Sequence, residues 1–185
     1  IHNNVNGVNI VYAVKDTSAA IAGLLTSSYE NLPNYMHGSF YTTDVATAAN
    51  GAKIAQLAIR YASSASAVHF NFSVSDTAAN ILANFTTALL NKVSGTVTIS
   101  GTVTAAQAVQ LLSTFSGVSA GHMPTYSISD TAANIEAAFQ SSGATFLNSA
   151  TNITVTDTAS YAQAQHVTQS ITNTGVTTIA ALTDT

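Results

Sequence analysis

The heptapeptide SDTAANI occurs twice, at Ser75–Ile81 and again at Ser129–Ile135, and this repetition restricts the fold more than any other feature of the chain. The wider pattern is two or three strand-forming residues, then Asp-Thr, then an Ala-rich run. It returns as VKDTSAAI from Val14, VSDTAANI from Val74, ISDTAANI from Ile128 and VTDTASYA from Val155, and a last LTDT ends at Thr185. The aspartates stand at 16, 76, 130, 157 and 184. Two degenerate copies lie between them: YTTDVATAA around Asp44, and ISGTVTAAQAV, where Gly101-Thr102 replaces Asp-Thr. The period is then about 27–28 residues, with six repeats starting near Asp16, Asp44, Asp76, Thr102, Asp130 and Asp157 and the beginning of a seventh. Self-similarity of this length marks an architecture in which one supersecondary unit is stacked repeatedly.

Each repeat reads the same way. Ahead of Asp-Thr lie alternating or β-branched segments, GVNIVYAV, AVHFNFSV, GTVTIS, PTYSI, NITVT and TTIAAL, which predict strands. Behind it the spacing is helical: Ala78, Ile81, Phe85 and Leu89; Ala105, Val109, Leu112 and Phe115; Ala132, Ile135 and Phe139; Tyr161, Ala164, Thr168 and Ile171. An Asp between strand and helix is an N-cap, because its carboxylate accepts orphan amide donors of the first turn and complements the helix dipole. Asp16, Asp76, Asp130 and Asp157 are therefore assigned as structural helix caps, with the following Thr able to serve as cap or first helical residue. Asn80 and Asn134 are placed to bond to the adjacent repeat.

Short strand–helix connections give a mainly parallel sheet. If the helices share one face, their wider spacing curves the array, because strands stack at about 4.8 Å and helices at about 8–10 Å. If they alternate, a doubly wound sandwich results. Polar Thr, Ser and Asn at every second strand position leave one sheet face wettable and favour the first arrangement. The expected fold is thus α/β: one repetitive β/α solenoid domain over residues 1–185, mainly parallel, with helices on one face. Tyr29–Tyr41 breaks the pattern and is expected to protrude as an aromatic loop.

The run Thr102–Phe139, TVTAAQAVQLLSTFSG…YSISDTAANIEAAF, resembles the repeats of large bacterial extracellular proteins, the S-layer-like, type I-secreted and adhesin-like polypeptides. The resemblance is clearest over residues 67–185, and residues 1–66 follow it in outline. It implies an extracellular structural segment at the bacterial cell surface, self-assembling in an array or filament or serving as an adhesin stalk. It transfers no catalytic residue. The Gly/Asp nonapeptides that hold Ca²⁺ in type I-secreted toxins are absent.

Composition agrees with that expectation. Only 6% of residues are charged, against about 25% in ordinary soluble domains, while 46% are hydrophobic. The four basic residues, Lys15, Lys53, Arg60 and Lys92, are too few to neutralise a nucleic-acid backbone or to hold an anionic membrane surface. No apolar run approaches the roughly 18 residues of a membrane span. There is no Cys, so disulfides and thiolate chemistry are excluded. The chain opens on Ile1 with no leader pattern, as expected of a processed or excised piece, and its terminal strands are expected to pair with another chain or domain.

Few groups are arranged for chemistry, and the expectation is a non-enzyme. GVSAG at Gly117–Gly121 matches a nucleophile-elbow pattern, with Asp130, Asp157 and His166 following in hydrolase order. The elbow needs a strand before its Ser and a helix after it, however, and Ser119 has the reverse. The five His residues, 2, 37, 69, 122 and 166, form no metal-binding pair. Ca²⁺ is the one cofactor the pattern admits, held by a row of stacked Asp. The sequons at Asn71, Asn84 and Asn152 carry little weight in a chain this rich in Asn, Ser and Thr. The alternative role is a secreted binding module taking haem, a cell-surface glycan or a host surface on the aromatic loop, through Tyr35, Met36, His37 and Tyr41.

Overall fold

The computed structural model describes residues 11–25, 37–62, 68–118, 122–169 and 176–183. Tyr35 and Met36 of the expected ligand loop, and Ser119, lie outside these. The chain is α/β with mostly parallel strands and, among the described residues, eight helices. It divides into two compact units, Ile1–Ser75 with Asn84–Val97, and Asp76–Ala83 with Thr98–Thr185.

In the first unit, β1 (Val11–Asp16), β2 (His37–Thr42) and β3 (Val68–Asn71) form a parallel sheet in chain order. The register sets Val14, Phe40 and Phe70 side by side, and the two Phe rings stack at 5.0 Å. Helices α1 (Ser18–Gly23) and α2 (Ala48–Tyr61) pack against each other. α2 buries Ile54, Ala55 and Leu57, a stripe spaced for one helix face. Gly51 of α2 lies so close to Val74 that an added Cβ would come within 2.7 Å of its side chain, so only glycine permits this approach. Here one expectation is corrected. His37–Tyr41 is not a protruding loop but the middle strand of the sheet, because the alternation Gly38-Ser39-Phe40-Tyr41 can bury Phe40 and leave its neighbours outward.

The segment AVHFNFSV, expected as one strand, is split into β3 and β4 (Val74–Asp76). β4 pairs with β5 (Val97–Ile99). The helix expected through Leu89 is likewise interrupted: α3 ends at Asn84, and α4 (Thr87–Leu90) restarts where the Thr86 hydroxyl accepts the Leu89 amide. Re-capping shifts the phase, so Leu90 is buried in place of Leu89.

The second unit holds the parallel sheet β6 (Thr102–Val103), β7 (Tyr126–Asp130), β8 (Ala150–Ser160) and β9 (Val176–Thr183), again in chain order. Burial alternates along β7 and β8: Ile128, Ile153 and Val155 face the core, while Ser127, Ser129, Asn152 and Thr154 do not. α5 (Ala105–Phe115) packs on α6 (Ala132–Ser142), and α6 on α8 (Tyr161–Gln169). In α5 the buried stripe is Ala105, Ala108, Leu111 and Phe115, one residue away from the expected Val109 and Leu112. Either stripe has helical period, and the small Ala108 is the one that lets the helix lie close. Past Gly143, whose φ of 69° ends α6, a short α7 (Thr145–Asn148) buries Phe146 and Leu147, and no periodicity announces it.

Candidate functional site

The Asp-Thr joints are where the sequence concentrates its identity, and the structure gives each letter a separate task. The N-cap is the threonine. The hydroxyls of Thr17, Thr47, Thr104 and Thr131 accept the amides of Ala20, Asn50, Gln107 and Asn134, each at the third helical position, and Thr77 does the same for Asn80. The expectation that Asp caps the helix it precedes is thereby corrected: Asp16, Asp76 and Asp130 stand one position too early. Their carboxylates accept instead the amide of the Thr that follows, at 2.7, 2.8 and 2.9 Å. In both SDTAANI copies the same oxygen also accepts the side-chain amide four residues on, from Asn80 and Asn134, at 2.7 Å each. Each asparagine thus makes a bond within its own repeat, and for Asn134 this replaces the expected bond to the adjacent one.

The remaining capacity of the carboxylate reaches backwards to the helix of the preceding repeat. The other oxygen of Asp130 accepts the Ala105 amide, the first in α5, at 2.9 Å across 25 residues. Asp157 accepts the Ala132 amide, the first in α6, at 2.7 Å, again across 25. In the first compact unit Asp44 accepts both the amide of Ser18, the first residue of α1, at 2.6 Å and its hydroxyl at 3.0 Å. Orphan amide donors at a helix start must be satisfied somewhere, and a carboxylate also complements the dipole there. The aspartate thus caps a neighbour while the threonine caps its own helix. Asp130, 9% exposed, is among the few buried polar residues described.

Two helices, α5 in a degenerate repeat and α8 in the Asp157 repeat, start with a reciprocal box. In α5 the Thr104 hydroxyl accepts the Gln107 amide, and the Gln107 side chain accepts the Thr104 amide at 3.0 Å, a capping box. α8 does likewise with Ser160 and Gln163, at 2.9 and 3.3 Å. The strand β8 therefore runs through Asp157 as far as Ser160, and Asp157 caps α6 but not the helix that follows it. The signal for both boxes, Thr or Ser followed three residues later by Gln, stands in the sequence at TAAQ and SYAQ.

His166 pairs through Nδ1 with Glu136 on α6 at 2.7 Å and stacks on Phe139 with ring centroids 4.9 Å apart. The Glu136 carboxyl is held below its usual range by hydrogen bonds from Gln140 and then His166. Asp130 and Asp157 are occupied by helix amides, so the Asp and His of the hydrolase-order pattern have different partners. His69 is exposed on β3, opposite Ser39. Tyr41 is 39% exposed on β2. Tyr126 is buried, its hydroxyl donating to the Phe146 carbonyl at 2.9 Å, and desolvation pushes its pKa up to about 12 against a smaller opposing hydrogen bond with Ser149. Among the described residues no three His, Asp or Glu side chains gather where a metal ion could be held, and no helix is long and apolar enough to cross a membrane. No protein-family model, no curated protein and no solved structure matches the chain.

Proposed function

We propose that this chain is a non-enzymatic structural segment of an extracellular bacterial surface protein, a β/α solenoid that associates with copies of itself or with neighbouring repeats. The observation that carries the reading is the backward-reaching aspartate. Each such repeat completes the helix start of the one before it, so the joint has meaning only in a stack. Sheets whose strand order equals chain order support the same reading. A low-charge polar surface suits association between identical faces, where like charges would otherwise repel. On this reading the resemblance to S-layer-like and adhesin-like repeats is one of architecture as well as of motif.

The test is electron microscopy and sedimentation of the purified protein, in Ca²⁺ and in chelator. Ordered sheets or fibres are the expected result, and their dependence on Ca²⁺ decides whether that ion takes part. A species that stays monomeric at millimolar concentration in both buffers would overturn self-assembly.

A further inference from the structure

β1 and β9 are the outer strands of their sheets, and no other described strand lies beside either on its far side. The remaining sheet ends, β3 to β6, are strands of two to four residues, whereas β1 has six and β9 eight. An open strand of that length is a template for pairing, and exposed edges are ordinarily blunted by charge, proline or shortness. β9, VTTIAALT, has none of these. The core column is also left open at both strands. Ile153, Val155 and Ala159 of β8 are no more than 3% exposed, yet Leu182, in register with Ala159, is 61% exposed, and Ile179, in register with Val155, is half-buried. In the other sheet Phe40 and Phe70 are buried, and Val14 beside them is half-buried. β1 is equipped for a predecessor as well. Asp44, Asp130 and Asp157 each hold the first helical amide of the repeat before. Asp16, at the same place in its joint, holds the Thr17 amide and, among the described residues, no such neighbour.

We infer that β9 of one copy pairs in parallel with β1 of a second copy. The inference rests on the self-association proposed above and names the surface that carries it. A parallel pair continues the pattern of both sheets, whereas two β9 strands related by a two-fold axis would run antiparallel. The register follows from the joints. The residue before the Asp of one repeat stands opposite the residue three before the Asp of the next: Lys15 opposite Tyr41, and Ser129 opposite Thr154. Thr183 precedes Asp184, and Ala13 lies three before Asp16, so Thr183 of one copy falls opposite Ala13 of the other. The faces agree. Thr183 and Ala13 are both exposed, and each adjoins a side chain in register with the core, Leu182 and Val14. Pairing gives the β9 backbone the partners it lacks and covers Leu182 and Ile179. The uncharged β9 repels neither Lys15 nor Asp16.

The chain has no Cys, so an introduced thiol reports a single contact. Full-length Ala13→Cys and Thr183→Cys proteins are mixed under mild oxidant. Linked peptides are identified by mass spectrometry, and the same samples are sedimented. Neighbouring strands lie about 4.8 Å apart, within disulfide reach, so a link from position 13 to position 183 is expected at about fivefold or more over the 13–13 and 183–183 links. Thr154→Cys, exposed one strand further in, should not link to Ala13→Cys. Leu182→Asp places a charge where the second copy would cover it and should weaken association by about tenfold or more. Leu182 is mostly exposed in the single chain, so this variant keeps its fold. Assembly without the 13–183 link, a majority of 183–183 links, or assembly unchanged in Leu182→Asp would each overturn this interface and leave self-association standing. A chain that stays monomeric at millimolar concentration and forms no link would overturn both.

Discussion

The repeats β6-α5 and β7-α6 lie next to each other in one sheet and start their helices by different chemistry. In α5, Thr104 and Gln107 satisfy each other's amides within four residues. α6 uses a distributed solution, in which Asp130 takes the Thr131 amide and the Asn134 side chain, and its second oxygen takes the first amide of α5. A box stabilises one helix. The Asp-Thr-Ala-Ala-Asn joint stabilises one helix and ties it to the one before. The repeat that begins with Gly101 has no carboxylate to hand back, whereas the two that follow it, at Asp130 and Asp157, each hand one back.

The largest expected effect separates the two. Asp130→Ala removes three acceptor contacts at a nearly buried site and should cost about 3 kcal/mol, whereas Gln107→Ala should cost about 1 kcal/mol, both read by urea unfolding. Equal losses would break the comparison. Next comes Tyr126, which ties β7 to α7 through the Phe146 carbonyl. Tyr126→Phe should cost about 1–1.5 kcal/mol. Its titration has a definite sign: a folded pKa of about 12 above the ordinary 10.0 means that this contribution is complete below pH 10 and is lost as pH rises through 12. A thermal-unfolding series from pH 9 to 12 should fall more steeply in the parent than in Tyr126→Phe, and parallel curves would remove the assignment.

Thr104→Ala and Thr131→Ala should each cost about 1 kcal/mol, because threonine is the N-cap in both chemistries. A much larger loss at Thr131 would mean that the Asp joint cannot be dissected into its parts. Smallest is the link from α6 to α8. Glu136 has a lowered pKa, so its contribution is present above the unfolded value of 4.5 and is lost as pH falls through the folded one. Solvent screens this pair, and Glu136→Gln should cost about 0.5 kcal/mol with a slightly shallower acid limb. An unchanged acid limb would show that His166 packs on Phe139 without electrostatic help.

Much of this was legible in the residues. The alternation in PTYSI and NITVT specified which side chains are buried, and Ile128, Ile153 and Val155 are. The ends of helices were legible where a Gly reached positive φ, as Gly143 does. Phase was not: α5 could bury Val109 and Leu112 or Ala108 and Leu111 at equal helical spacing, and close approach chose the second. The strand His37–Thr42 was hidden by its aromatic residues, which look like loop decoration until Phe40 is set against Phe70. That Lys15, Tyr41 and Asn71 stand in a row across β1, β2 and β3 was invisible for the same reason, since they are separated by 26 and 30 positions and meet only through strand register.

By itself, then, the sequence determined the period, the alternation of strand and helix, the parallel pairing that short crossovers demand, and the place of the joints at Asp16, Asp76 and Asp130, because these depend on local propensity and on spacing. It could not determine what each Asp oxygen holds. A carboxylate has two oxygens and several lone pairs, and chain order shows only the donors within reach of its own turn. The donor that engages the second oxygen of Asp130 is 25 residues away. It comes within 2.9 Å because parallel strands at one register stack successive helix starts side by side, and that is a property of the folded sheet alone.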